Sequence, residues 1–181
     1  MMSGQPSRAA IFLDRDGVIN IDTHYPHKPA DLRLTPTAGR AIAHINRSGT
    51  LAIVVTNQSG VARGMFTLRD VDAFHRALAD RLTDEGGHLD AIYVAPYHPD
   101  GSVAEYAIDH EDRKPGAGLL RKALAEWAID PARSVMIGDK PSDAQAAEAA
   151  GIAAIIVPSD TCDLAAVVDA WLTALPEYAR G

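Results

Sequence analysis

Four short stretches of the chain concentrate residues able to do chemistry. In Phe12-Leu13-Asp14-Arg15-Asp16-Gly17-Val18-Ile19-Asn20, an apolar run stops at two carboxylates spaced i, i+2, and the next residue is a glycine that permits a tight turn. A calcium loop would need glycine sixth and glutamate twelfth, but counting from Asp14 the glycine stands fourth and Tyr25 twelfth, so that chemistry is excluded. A solvated Asp/Gly turn is the plain alternative. In Val54-Val55-Thr56-Asn57-Gln58-Ser59-Gly60-Val61-Ala62-Arg63-Gly64, a hydroxyl, two amides and a second hydroxyl leave an apolar run together, with an arginine held between glycines beyond them. Capping of the next helix accounts for one of these polar residues but not for all. Ser59 is no nucleophile elbow, since Asn57 rather than glycine stands two before it. A hydroxyl with neighbouring backbone N–H groups can instead hold phosphate oxygens. Asp112-Arg113-Lys114-Pro115-Gly116 sets two cations before a predicted helix, where Lys114 and the helix end both favour an anion. An exposed basic pair is the alternative there. Met136-Ile137-Gly138-Asp139-Lys140-Pro141-Ser142-Asp143 again ends an apolar run on a carboxylate, and Asp143 reads most simply as a helix N-terminal charge.

The elements that must position these groups alternate short β-branched runs with longer amphipathic stretches, the pattern of a parallel sheet flanked by helices. Strands are predicted over Ala9–Asp14, Leu51–Thr56, Leu89–Ala95, Ser134–Asp139 and Ile152–Val157, each apolar enough to be covered on both faces. Helices are predicted over Thr37–Ser48, from Thr67 with a Thr67/Asp70 capping box, and over Gly116–Ala128, Ser142–Ala150 and Asp163–Leu175. Thr35-Pro36 offers a cap for the first helix and Gly49 a stop. The second helix carries Leu68, Val71, Phe74, Leu78 and Leu82 on one stripe. Gly17–Leu34 and Pro96–Pro115 lack such patterns and leave the carboxyl ends of strands, where open α/β sheets bind ligands.

The whole chain is 181 residues long, 47% apolar and −7 in formal charge, which bounds it to one globular domain or one domain with a small insertion. The expected division is a flexible start over 1–8, a single domain over 9–175 and a tail over 176–181. One cysteine, Cys162, gives no internal disulfide and no multi-cysteine zinc pattern, which points to a reducing cytoplasm. The first residues lack the apolar core of a signal peptide, and no apolar run approaches the roughly 18 residues of a membrane span. An acidic chain with no basic block argues against nucleic acid as partner. A small anionic substrate remains compatible where cations gather locally.

These four motifs, in this order on successive strand ends, resemble the haloacid dehalogenase superfamily, and nearest to it the histidinol-phosphate and heptose-bisphosphate phosphatase branch over about Ala10 to Val157. Asp14-Arg15-Asp16-Gly17-Val18-Ile19-Asn20 with Tyr25, and Thr56 through the Ala62-Arg63-Gly64 segment, are closer to the heptose-bisphosphate members. The resemblance implies a Rossmann-like doubly wound parallel sheet of about five strands without a separate cap domain, and a phosphatase acting on a small phosphorylated sugar, for which a monomer without a cap is adequate. It implies Asp14 as nucleophile, Asp16 as general acid and base, and Thr56 and Lys114 holding the transferring phosphoryl group. Asp14, the Asp16 main-chain carbonyl and Asp139 would hold Mg²⁺. Asp22, Thr23, His24, Tyr25, Asn57, Gln58, Ser59, Arg63, Arg113 and Lys140 are implied as substrate contacts, Arg113 to a remote phosphate. Asp143 would orient Lys140 or the metal surroundings. A dehalogenase has no need of the second aspartate, so Asp16 favours phosphoryl chemistry.

The branch commonly carries a structural zinc in the loop before Arg-Lys-Pro. The matching positions here are Ala95, Tyr97, His110 and Asp112, and three thiolates are missing. Structural zinc prefers cysteine-rich sets, so a zinc-free loop packed on Pro96, Tyr97 and Pro99 is expected, against the alternative of a site from His98, His110 and Asp112. Alternatives to the heptose reading are a histidinol-phosphate or broad sugar-phosphate phosphatase, and a non-catalytic phosphate-binding domain.

Overall fold

A computed structural model describes residues 7–175 of the chain. Within them, β1 (Ala10–Leu13), β2 (Leu51–Asn57), β3 (Ala91–Ala95), β4 (Val135–Gly138) and β5 (Ala153–Ile156) form a five-stranded sheet in the order β3-β2-β1-β4-β5. Every pair is parallel, with Phe12 in register with Ile53 on one side and with Met136 on the other. The helices are α1 (Ala38–Arg47), α2 (Leu68–Asp84), α3 (Gly118–Glu126), α4 (Pro141–Ala150) and α5 (Leu164–Ala174). All five strands and five helices expected from the sequence are present, with no end displaced by more than two residues.

Alternation along the central strands sorts the core into two faces. Ile11, Leu13, Val54, Val135 and Ile137 pack with Ile42 and Ile45 of α1, Leu78 and Leu82 of α2, and Val168 and Leu172 of α5. Ala10, Phe12, Ile53, Val55 and Met136 pack against Leu119, Leu120 and Ala123 of α3 and Ala146 and Ala147 of α4. The result is a three-layer sandwich, with no separate cap among the described residues. The strand order reverses between β1 and β4, which run parallel and side by side although their connections leave to opposite sides, so the crevice opens beyond Leu13 and Gly138.

Three local expectations needed correction. The outer strands are not covered on both faces: β3 is half-buried, and in β5 Ala153, Ala154 and Ile156 are exposed because it is a sheet edge. Thr35 does not cap α1; its hydroxyl donates to the Val18 carbonyl at 2.7 Å, tying the end of the first loop back to its beginning, while Thr37 is the residue at the helix start. Arg8, assigned to the flexible start, exchanges backbone bonds with Ala128 and Asp130 at 3.1 and 2.9 Å. Residues 1–6 and the tail 176–181 lie outside the described residues. The Thr67/Asp70 capping box forms in both directions, and Gly49 ends α1 at a φ of 76°. Among the described residues no helix is long and apolar enough to cross a membrane.

Candidate active site

The carboxyl ends of β1, β2 and β4 and the loop after β3 deliver Asp14, Thr56, Asp139 and Lys114 to one place. Asp14 is the first residue past β1, and its backbone N–H donates to Ile137 O at 2.9 Å, so the sheet continues through it. Its Oδ1 accepts from the Arg15 N–H at 2.8 Å and lies 2.9 Å from Lys114 Nζ. Lys114 is buried, with its ammonium also 2.7 Å from Asp143 Oδ1 and donating to Val55 O at 2.8 Å. Burial alone would push that ammonium toward neutrality, but Asp14 and Asp143 reverse the direction and raise its pKa. Asn57 fixes the Lys114 backbone from both sides, accepting its N–H at 3.0 Å and donating to its carbonyl at 3.0 Å.

Asp16 lines the cleft above this floor. Arg15 grips it as a fork, Nε to Oδ1 at 2.9 Å and an Nη2 hydrogen to Oδ2 at 3.0 Å, while Asn20 donates to Oδ1 at 2.9 Å and Gln58 to Oδ2 at 3.0 Å. Burial raises its pKa, against the lowering pull of Arg15. A carboxyl shifted this way retains a proton to higher pH than an exposed one, as a general acid must.

Asp14, Asp139 and Asp143 each offer a carboxylate oxygen, all within 4.8 Å of one another, the one such group among the described residues. Asp139 Oδ1 is buried without a hydrogen-bond partner, and burial raises the Asp139 pKa. Hard oxygen donors, one unsatisfied and buried, fit a divalent cation such as Mg²⁺. Asp143 is already committed, to Lys114 through Oδ1 and to the Lys140 N–H through Oδ2 at 2.9 Å, so it positions the lysine and caps α4. Gly17, at a φ of 85°, makes room for Asp139: a Cβ there would collide with the Asp139 carboxylate and the Ser159 hydroxyl.

A cleft of about 500 Å³ opens above, lined by Asp16, Asp22, His24, Tyr25, Asn57, Gln58, Ser59, Arg113, Lys114, Pro115, Lys140 and Ser142. The sequence-predicted substrate contacts divide into three groups. Asp22, His24, Tyr25, Ser59, Arg113 and Lys140 face the opening. His24 and Tyr25 both hold a φ of 61°, with the His24 N–H donating to Asp22 Oδ1 at 3.0 Å. Asn57 and Gln58 reach the lining but spend their amides internally, Asn57 on Lys114 and Gln58 on Asp16 and on Thr56 Oγ1 at 2.9 Å. Thr23 is exposed and outside the lining. Arg63 is likewise exposed and outside the lining, with Nη2 3.1 Å from His98 Nε2. Burial and the neighbouring Arg63 push the Arg113 pKa down, and burial, Arg113 and Arg63 push that of His98 down. Such a cationic corner favours an anion.

The positions at which the resemblance would set zinc ligands are occupied as follows. Ala95 is a buried methyl, Tyr97 stacks on His110 with ring centroids 4.0 Å apart, and Asp112 pairs with Lys122 at 2.5 Å. His98 Nδ1 accepts from the Asp100 N–H at 3.1 Å and His110 Nδ1 from the Asp112 N–H at 3.1 Å. Tyr97 also packs near Tyr106, so aromatic contacts close this loop.

Sequence reasoning overlooked Arg15 and His75. Arg15 has no exposed surface, its guanidinium lies 4.4 Å over the Phe74 ring, and Nη1 is 3.0 Å from His75 Nε2. The available signal was His75 itself, a polar residue on the apolar stripe of α2, four residues after Val71 and three before Leu78.

Residues 112–176 match a HAD-hydrolase-like family model. A D-glycero-beta-D-manno-heptose-1,7-bisphosphate 7-phosphatase of Rhodopseudomonas palustris is 44% identical over 152 residues, 84% of each chain. A putative HAD-like phosphatase of Mesorhizobium loti superposes with a TM-score of 0.85 at 39% identity, over 93% of this chain and 88% of that one. D,D-heptose 1,7-bisphosphate phosphatase of B. bronchiseptica, complexed with magnesium and phosphate, gives 0.79 at 31% identity over 93% and 99%. The fold, the order of the four motifs and these relatives agree, and the chain belongs to the D-glycero-beta-D-manno-heptose-1,7-bisphosphate 7-phosphatase family of haloacid dehalogenase-like hydrolases.

Proposed function

We propose that this protein is a Mg²⁺-dependent phosphatase that removes the C7 phosphate of D-glycero-D-manno-heptose 1,7-bisphosphate through an aspartyl-phosphate on Asp14. The observation that carries it is Asp14 at the end of β1 with its Oδ1 2.9 Å from the buried Lys114 ammonium, below a cleft that Asp16 lines. Phosphate monoesters need a positioned nucleophile, neutralised charge and a proton for the departing oxygen. Asp14 attacks phosphorus as the bond to the C7 oxygen breaks, and Asp16 gives that oxygen its proton. Asp16, now a carboxylate, takes a proton from water; the resulting hydroxide attacks phosphorus and releases phosphate from Asp14. Lys114 and the Thr56 hydroxyl hold the phosphoryl oxygens throughout.

Asp14, Asp139 and the Asp16 carbonyl would hold Mg²⁺, which when bound offsets the repulsion between phosphate and the carboxylates. Asp22, His24, Tyr25, Ser59 and Lys140 contact the sugar, and Arg113 with Arg63 receives the C1 phosphate. The names of the relatives specify the beta anomer, and we adopt it here. The enzyme works as a monomer in the cytoplasm, in carbohydrate metabolism leading to heptose for lipopolysaccharide. A panel of heptose bisphosphate, histidinol phosphate and common sugar phosphates with Mg²⁺ tests the assignment: the bisphosphate should give the highest kcat/KM, and faster hydrolysis of histidinol phosphate would overturn it.

A further inference from the structure

Arg15 is a guanidinium with no exposed surface, and burying such a group is costly unless its hydrogens are accepted. Nε and Nη2 are accepted by Asp16, and Nη2 also by Pro26 O at 2.9 Å and Gln58 Oε1 at 3.2 Å. Among the described residues, Nη1 is given one partner, His75 Nε2 at 3.0 Å. A guanidinium only donates, so His75 must accept, which requires a neutral ring. The surroundings enforce that state, since burial and the Arg15 charge depress the His75 pKa to about 3. Phe74, one residue earlier on α2, supplies the face on which the guanidinium rests at 4.4 Å. Helix α2, outside the cleft, thereby seats the fork that grips Asp16.

We propose that His75 is a positioning residue for the acid–base carboxyl of Asp16, acting through Arg15. His75 touches neither substrate nor reacting atoms; its loss leaves a buried Nη1 unpartnered and releases the fork that fixes both Asp16 oxygens. The inference rests on Asp16 being the general acid. A general acid misplaced by about 1 Å can cost on the order of 10²-fold, and only where the leaving oxygen needs its proton. Departure of the C7 alkoxide needs that proton, whereas 4-nitrophenolate leaves as a stable anion.

The test compares kcat/KM for heptose 1,7-bisphosphate and 4-nitrophenyl phosphate in wild type, Asp16→Asn, His75→Ala and His75→Gln, with circular dichroism and Tm recorded for each. His75→Ala should lose at least about ten-fold more on the alkyl ester than on the aryl ester. Gln Oε1 can occupy the acceptor position, so His75→Gln should restore most of the discrimination. Equal losses on both esters in His75→Ala, or no loss on either, would overturn the proposal. A selective loss in Asp16→Asn without one in His75→Ala refutes the positioning role alone, and no selective loss in Asp16→Asn refutes the acid assignment with it.

Discussion

Lys114 Nζ stands 2.9 Å from Asp14 Oδ1, and the same ammonium is held 2.7 Å from Asp143 Oδ1. The lysine therefore cannot move away from the nucleophile without abandoning a second buried carboxylate, and Asn57 holds its backbone in the same place. One cation compensates two carboxylates where water cannot, which gives the motif after β3 its meaning.

Lys114→Met should cost both stability and rate. Removing one partner of a buried ion pair costs about 3–5 kcal/mol, and loss of one donor to a transferring group costs about 10²–10³ in kcat. Denaturant unfolding and steady-state kinetics measure the two separately. A stable, slow variant would confine Lys114 to catalysis.

Gly17→Ala places a methyl group against Asp139 and Ser159 at a φ that alanine adopts with strain. The Mg²⁺ concentration for half-maximal rate should rise, because Asp139 is displaced, and stability should fall by about 1 kcal/mol or more. A magnesium titration of activity, with the Tm of each protein, reads both. An unchanged magnesium requirement would dissociate Asp139 from the metal.

Arg113→Ala should raise KM for the bisphosphate while leaving 4-nitrophenyl phosphate, which lacks a second phosphate, little affected. Loss of a charge-assisted bidentate contact costs about 1.5–3 kcal/mol, about ten- to hundred-fold in KM. Equal effects on both substrates would assign Arg113 to the transferring phosphate.

The His75 imidazole gives a pH dependence of defined sign. In the unfolded chain it gains a proton below its ordinary value near 6.5, while burial and Arg15 hold the folded value at about 3. Between those limits the unfolded state binds more protons, so folding stability contributed here is full above about 6.5 and is lost as pH falls toward 3. His75→Gln should flatten the slope of stability against pH in that window, measured by urea unfolding at several pH values. An identical slope in the variant would mean other groups carry it.

Much of the site was legible because strand ends announce themselves. Asp14, Thr56 and Asp139 each follow an apolar run, and a parallel sheet brings such positions together whatever their separation in sequence. Lys114 was readable from its place before a helix. Arg15 was not, since an arginine between two aspartates looks like a solvated charge; only the tertiary approach of α2, with Phe74 and His75, buries it. Asn57 and Gln58 show the same limit, because residue type marks an amide as polar but not which partner it meets. The exposure of β5 was hidden because Ile152–Val157 is as apolar as a central strand, and edge position is a property of topology.

The central claim, Asp14 as nucleophile in release of the C7 phosphate, is tested most directly by following heptose 1,7-bisphosphate with Mg²⁺ by phosphorus NMR, with wild type and with Asp14→Asn. Wild type should convert the C7 resonance to inorganic phosphate while the C1 resonance persists, and the variant should leave both intact. Equal turnover by Asp14→Asn, or loss of the C1 resonance first, would contradict the account.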